Sequence, residues 1–210
     1  MKYYRIINDI FSISGHIGVF ENTLENFQID YFENIGISSE IKFEKYRHGI
    51  YEDLEIYNNV SSGGKIIRRA SDIMVVSREW KEVRILPLID RNNGIAFLMQ
   101  LFYTHAVQRQ IIQFHSSLID FRGHGLMFLG PSGIGKTTQA ELWNQYRDAL
   151  IINGDIVFVQ ETKGAFLGWG TPWHGSSPYC QNTNVPVDAL IVLKQDEENS
   201  IRELIGFENQ

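Results

Sequence analysis

Eight consecutive residues constrain this chain more than any others: Gly130-Pro131-Ser132-Gly133-Ile134-Gly135-Lys136-Thr137 fit G-x-x-x-x-G-K-S/T without a mismatch. Glycines in such a loop let backbone N–H groups turn inward on phosphate oxygens, and the helix that follows adds its positive dipole end. Lys136 is a point charge placed for the β- and γ-phosphates, and Thr137 offers a hydroxyl ligand to Mg2+. The residues read as nucleotide-binding are Gly130, Ser132, Gly133, Ile134, Gly135, Lys136, Thr137 and Thr138. The bland alternative is a glycine-rich turn that binds nothing, but a mere turn does not need the Lys-Thr pair. The flanks agree with the loop reading. Leu126 to Leu129 is an apolar strand, and 136–147 carries Ala140, Trp143 and Tyr146 at helical spacing.

A nucleotide-bound Mg2+ normally takes a carboxylate as well as the loop hydroxyl. Asp155 is the best candidate, nineteen residues after Lys136 and just past the apolar run Leu150-Ile151-Ile152. A strand–helix–strand unit would bring it beside the loop, at the carboxyl edge of the sheet. Its bland reading is an Asn-Gly-Asp hairpin turn. Asp196, after Ala189 to Leu193, is a rival, but it opens an Asp-Glu-Glu run that reads as a solvated loop. Among the histidines, His16, His48 and His105 form no H-x-x-x-H pair, and His124 sits in a tight Gly-His-Gly turn, so no metal cluster is expected. Ser132 shapes the loop and is not read as a nucleophile.

The remaining sequence reads as α/β. Within the first 90 residues the expected strands are 37–46, 66–69, 73–77 and 83–88, with a turn at Ser61-Ser62-Gly63-Gly64. Asn92 or Asn93 is placed to cap a helix from Ile95 to about Phe114. Strands are then expected at 117–121, 126–129, 150–152, 156–159, 166–167 and 190–193, with a turn at 122–125 and the helix 136–147. The expected organisation is a β-rich N-terminal lobe, 1–92, and a nucleotide-binding domain, 93–210. With 210 residues, 43% of them apolar, the chain can bury a sizeable core. A formal charge of −6 gives no global attraction to nucleic acid or anionic lipid. No apolar run is long enough to span a bilayer, and Met1 to Arg5 lead into no secretory h-region. Cys180 is the single cysteine, so a reducing cytoplasm is the natural compartment, and no signature marks it as catalytic.

Three stretches carry a family resemblance: Phe114-His115-Ser116-Ser117-Leu118-Ile119-Asp120, the loop itself, and Asn153-Gly154-Asp155-Ile156-Val157. Together they resemble the catalytic core of HPr kinase/phosphorylase and, more broadly, the P-loop group that includes phosphoenolpyruvate carboxykinase. Gly170-Thr171-Pro172-Trp173-His174-Gly175, followed by Asn182 to Pro186, is similar to HPr-kinase-related proteins found near peptide-modification systems. The resemblance spans about residues 114–200 and implies a carboxykinase-like mixed sheet. It implies ATP or another nucleoside triphosphate, with Mg2+, as what the site holds. It also implies an ATP-dependent kinase acting on a hydroxyl of a protein or peptide. The alternatives are a nucleotide-binding sensor or partner module, and a small-metabolite kinase; oligomerisation is left open. In such kinases His115 would lie near the transferred phosphate, and Asp155 would serve as base for the acceptor and as metal ligand beside Thr137. Apart from the resemblance, Trp173 and His174 are candidates to line an acceptor site, with a local plug as the equally weighted alternative for an aromatic in a Gly/Pro loop. HPr kinase carries an adjacent Asp-Asp pair where this chain has Gly154-Asp155.

Overall fold

The computed structural model describes residues 1–15, 20–43, 63–69, 72–86 and 91–204. His16, His48, residues 61 and 62 of the expected turn and the ends of the strands expected at 37–46 and 83–88 lie outside the described residues.

The chain opens with a hairpin, β1 (Lys2–Ile6) and β2 (Asp9–Ser14), turned at Ile7, whose φ is 57°. A short helix α1 (Phe20–Leu24) leads to β3 (Gln28–Ile29), β4 (Ser39–Phe43), β5 (Lys65–Arg69), β6 (Asp72–Val76) and β7 (Glu82–Ile85). These strands form one seven-stranded sheet in the order β3-β1-β2-β4-β7-β6-β5. The sheet is mixed, because β4 runs parallel to both β2 and β7. Strict alternation makes it one-sided: in β4, Ser39, Ile41 and Phe43 are buried while Glu40 and Lys42 face outward.

Helix α2 (Arg91–Ala106) lies against the buried face of that sheet. Phe97, Leu98, Leu101, Phe102 and Ala106 join Tyr4, Phe11, Ile41, Met74 and Ile85 in one apolar cluster. Phe158, Trp173 and Cys180, from much later in the chain, belong to the same cluster. The side chains of Asn92 and Asn93, and with them the expected cap, lie outside the described residues.

The helix expected to reach Phe114 stops at Ala106. A 3-10 turn, Val107–Arg109, follows, and Gln110 at φ 56° reverses the chain. Ile111 to Phe114 open an eleven-residue strand, β8 (Ile111–Phe121). Two adjacent isoleucines and a phenylalanine suit a strand as well as a helix, and pairing with a neighbour decides between them.

The second sheet contains β8, β9 (His124–Leu129), β10 (Leu150–Asn153), β11 (Ile156–Thr162), β12 (Ala165–Trp169) and β13 (Asn184–Val192). Its pairings close on themselves: β8 with β11, β11 with β12, β12 with β13, β13 with β9, and β9 with β8. Leu118, Met127, Ile152, Val157, Val159 and Val185 form a cluster within this half of the molecule. On another face, α3 (Lys136–Arg147) sets Ala140 among Ile119, Phe128, Ala149 and Ile151. Trp143 meets Phe121 edge-on at 5.2 Å between ring centres. The architecture is mixed α/β, with two mixed sheets and few helices. No helix among the described residues is long and apolar enough to cross a membrane.

Candidate functional site

The phosphate-loop sequence lies between β9 and α3, with Gly130, Gly133 and Gly135 all at positive φ (142°, 81° and 109°). No atom stands within 4 Å of a Cβ built on Gly133 or Gly135, so glycine is needed there for backbone angle rather than for space. Gly135 occupies the N-cap position of α3 and brings no side-chain cap. The first-turn N–H groups of α3 therefore keep their donors for something outside the helix. Lys136 is only 6% exposed, and its ammonium donates to the carbonyl oxygens of Gly130 (3.0 Å) and Pro131 (3.1 Å). The charge is thus held over the loop. Ser132 and Thr138 are exposed, and Ile134 is half-buried against Gly130.

The acidic segment is not the hairpin turn its residue types suggested. Strands β10 and β11 do not pair with each other; both run antiparallel to β8, β10 along residues 118–120 and β11 along residues 111–115. Gly154-Asp155 is the junction between two strands laid end to end along one partner. Its fixing starts at the Gly154 carbonyl, which accepts from the hydroxyls of Thr137 (3.1 Å) and Ser117 (3.0 Å). The first turn of α3 is thereby tied to the acidic junction. Thr137 spends its proton on that carbonyl and retains lone pairs for a cation.

The Asp155 carboxylate meets His115 from β8, Oδ1 to Nε2 at 2.9 Å. The pair is open to solvent, with side chains 30% and 49% exposed respectively. A carboxylate oxygen accepts, so the neutral imidazole donates through Nε2–H and keeps Nδ1 unprotonated. Gly154 cannot be an aspartate in this backbone. A Cβ there would stand 1.9 Å from the Ser177 hydroxyl oxygen and 2.6 Å from Ser177 Cβ. Ser177 fills the space that a first acid would need.

The structure sets Thr137 against the Gly154 carbonyl, next to the residue whose carboxylate meets His115. It turns Trp173 away: the indole is 3% exposed and packs against Phe102 (5.1 Å between ring centres) and Phe158 (6.1 Å). Of the two residues expected to line an acceptor site, Trp173 is therefore a core plug, because ring burial outweighs anything its loop position offered. His174 is half-buried next to Gly175, and its Nδ1 hydrogen-bonds the Ser177 carbonyl. That carbonyl can only accept, so Nδ1 carries the proton and Nε2 is the free lone pair in the neutral ring. Asp196 is exposed and accepts from the N–H of Glu197, as a solvated loop residue does. His124 pairs with Asp188 at the surface, at 2.7 Å. Burial pushes the Cys180 thiol above its ordinary value, which keeps it protonated and inert. Among the described residues no group of three or more His, Cys, Asp or Glu could hold a metal.

Sequence reasoning missed Asn153 and Ser177. Asn153 is fully buried, and its Oδ1 accepts from the N–H groups of Asp155 (2.9 Å) and Ile156 (3.0 Å). An asparagine two residues before the acid carries that signal, since Asx side chains bond the backbone two residues on. Nothing in the sequence announces Ser177.

No protein-family model matches the chain, and no curated relative matches it by sequence. Among solved structures, the HPr(Ser) kinase/phosphatase from Coxiella burnetii superimposes on 43% of this chain and 70% of its own, at 12% identity and a TM-score of 0.36. At that TM-score the likeness decides nothing about fold or activity.

Proposed function

We propose that the chain is an ATP-dependent phosphotransferase that moves a γ-phosphoryl group onto a hydroxyl of a protein or peptide. One observation carries the reading: an open Asp–His pair is tied through the Gly154 carbonyl to a threonine in the first turn of a glycine-looped helix. The loop amides and Lys136 fit the phosphates of a nucleotide, since the first turn of α3 has no side-chain cap and the Lys136 ammonium is held on the loop carbonyls. Thr137 fits Mg2+, which is content with one or two protein oxygens and several waters. When bound, the cation supplies charge neutralisation on the phosphates.

The chain's own residues then have distinct tasks. Lys136 offsets charge on the γ-phosphoryl oxygens, and the loop amides fix its position. Asp155 takes the proton from the acceptor hydroxyl while His115 holds its other oxygen. The acceptor oxygen forms the new O–P bond, and the old O–P bonding pair leaves with the nucleoside diphosphate. Lys136→Ala is expected to cut phosphate release from Mg-ATP by about 10² to 10³ while leaving the melting profile unchanged. Wild-type rates in that variant would sink the assignment.

A second reading is a nucleotide-binding module without turnover. Ser177 favours it, since by filling the space beside Gly154 it leaves a single carboxylate at the junction. Tight binding of a fluorescent ATP analogue with no phosphate release would select this reading.

A further inference from the structure

Asp155 stands on a junction that needs holding, because residues 153–155 join strands that do not pair with each other. The holding comes from segment 171–175. Asn153, besides accepting from the backbone of Asp155 and Ile156, donates through Nδ2 to the carbonyl oxygens of Thr171 (3.1 Å) and Trp173 (3.2 Å). All its principal polar capacity is spent between these two segments. Thr171, also fully buried, adds a second tie by donating its hydroxyl to the Ile156 carbonyl at 3.2 Å. The third contact concerns the carboxylate itself. A Cβ built on Gly175 would stand 2.1 Å from Asp155 Oδ2 and 2.7 Å from its Cγ. Gly175 is also at a φ of +60°, so even the smallest side chain at 175 requires the carboxylate or the segment itself to shift. With His115 on Oδ1 and the Gly175 backbone against Oδ2, the acid is held from two sides.

We infer that segment 171–175 is the positioning element of the site: Asn153 ties it to the acidic junction, and Gly175, by lacking a side chain, lets the Asp155 carboxylate remain on His115. The inference rests on the phosphotransferase reading. Neither Asn153 nor Gly175 is assigned contact with a reacting atom; both act through Asp155.

The test uses the full chain and two variants, Gly175→Ala and Asn153→Asp. Three measurements are made: a crystal structure of Gly175→Ala, the Kd of a fluorescent ATP analogue with Mg2+, and steady-state phosphate release from Mg-ATP with water as acceptor. In Gly175→Ala the His115–Asp155 separation is expected to open beyond hydrogen-bond reach. kcat should fall by about 10², with KM for ATP and the analogue Kd within about threefold, as expected for a group acting in transfer rather than in binding. Tm should fall by about 2–4 °C, the effect of an alanine held at the left-handed φ of Gly175. Asn153→Asp keeps the oxygen that accepts from residues 155 and 156 but loses both donors to residues 171 and 173, and should give a smaller fall of the same kind. If Asn153→Asp does not fold, Gly175→Ala decides alone. A closed His115–Asp155 pair in Gly175→Ala overturns the inference. So does an open pair with unchanged kcat, or a loss carried equally by ATP affinity. Wild-type protein that neither binds the analogue nor releases phosphate refutes the phosphotransferase reading instead; the crystal structure still decides whether Gly175 keeps the pair closed.

Discussion

Asp9 and Asp155 each sit beside a basic side chain, and the two halves of the molecule treat them in opposite ways. Asp9, at the start of β2, is fully buried; its Oδ1 receives the Arg109 guanidinium at 3.0 Å and the Ser38 hydroxyl at 2.7 Å. The pair joins the N-terminal sheet to the 3-10 turn after α2, and Ser39 extends the contact through a 2.9 Å bond to His105 Nε2. Ser39 gives its own proton to the Trp80 carbonyl, so the imidazole N–H is the donor there. Asp155 keeps 30% of its side chain in solvent, and its partner His115 is exposed further. The Asp9 carboxylate has no access to a substrate, although Arg109 keeps 38% of its side chain in solvent and Asp9 Oδ2 has no hydrogen-bond partner. An open pair has little to contribute to stability but can meet a substrate. Burial therefore separates an interaction that holds elements together from one that is available for chemistry.

Three experiments break or sharpen that comparison, in decreasing order of effect. Asp155→Asn is expected to lower phosphoryl transfer by about 10² to 10⁴, the range of a lost general base, with little change in nucleotide affinity and none in the urea midpoint. Loss of Mg2+-dependent nucleotide binding in that variant would make Asp155 the metal ligand and place the base elsewhere. Asp9→Ala should do the reverse. Removing the buried carboxylate takes an acceptor from Ser38 and from the part-exposed Arg109, so a loss of about 1–2 kcal/mol is expected in urea unfolding, with transfer per folded molecule unchanged. If both aspartates shift both readouts, the division between the two halves fails.

The smallest effect concerns pH. Burial pushes His105 below its ordinary value; Asp9 opposes that shift and Arg109 adds to it. The folded protein thus favours the neutral ring, while the unfolded chain takes up a proton near the ordinary value of about 6.5. The contribution is complete above that pH and is lost as pH falls through the lowered folded value. Urea midpoints measured between pH 8 and pH 5 should fall for the wild type and fall less for His105→Gln, a difference of at most about 1 kcal/mol. Equal slopes would remove His105 from the structural half of the comparison.

Much of this was legible in residues alone, where the signal is local. The loop at 130–137 and the helix over 136–147 follow from glycine placement, the Lys-Thr pair and a 3.6-residue repeat, all of which act over a single turn. Asp155 and His115 were legible as candidates, the first from its distance after Lys136 and the second from a family pattern. That they meet at 2.9 Å was not, because β8 alone brings them together by pairing with β10 and β11 in succession.

The sequence by itself determined the one segment whose chemistry depends on neighbours in the chain: a glycine-rich turn opening a helix with Lys136 and Thr137 at its start. Only the tertiary structure decided the fates of Ile111 to Phe114, Gly154 and Trp173. The first became strand because β11 offered a ladder to pair with, where helical spacing had suggested otherwise. The second is glycine because Ser177, twenty-three residues later, stands where its side chain would be. The third left the loop's open side because a hollow lined by Phe102 and Phe158 removes more of its ring from water. Each of these choices depends on atoms distant in sequence, and a propensity counts only neighbours.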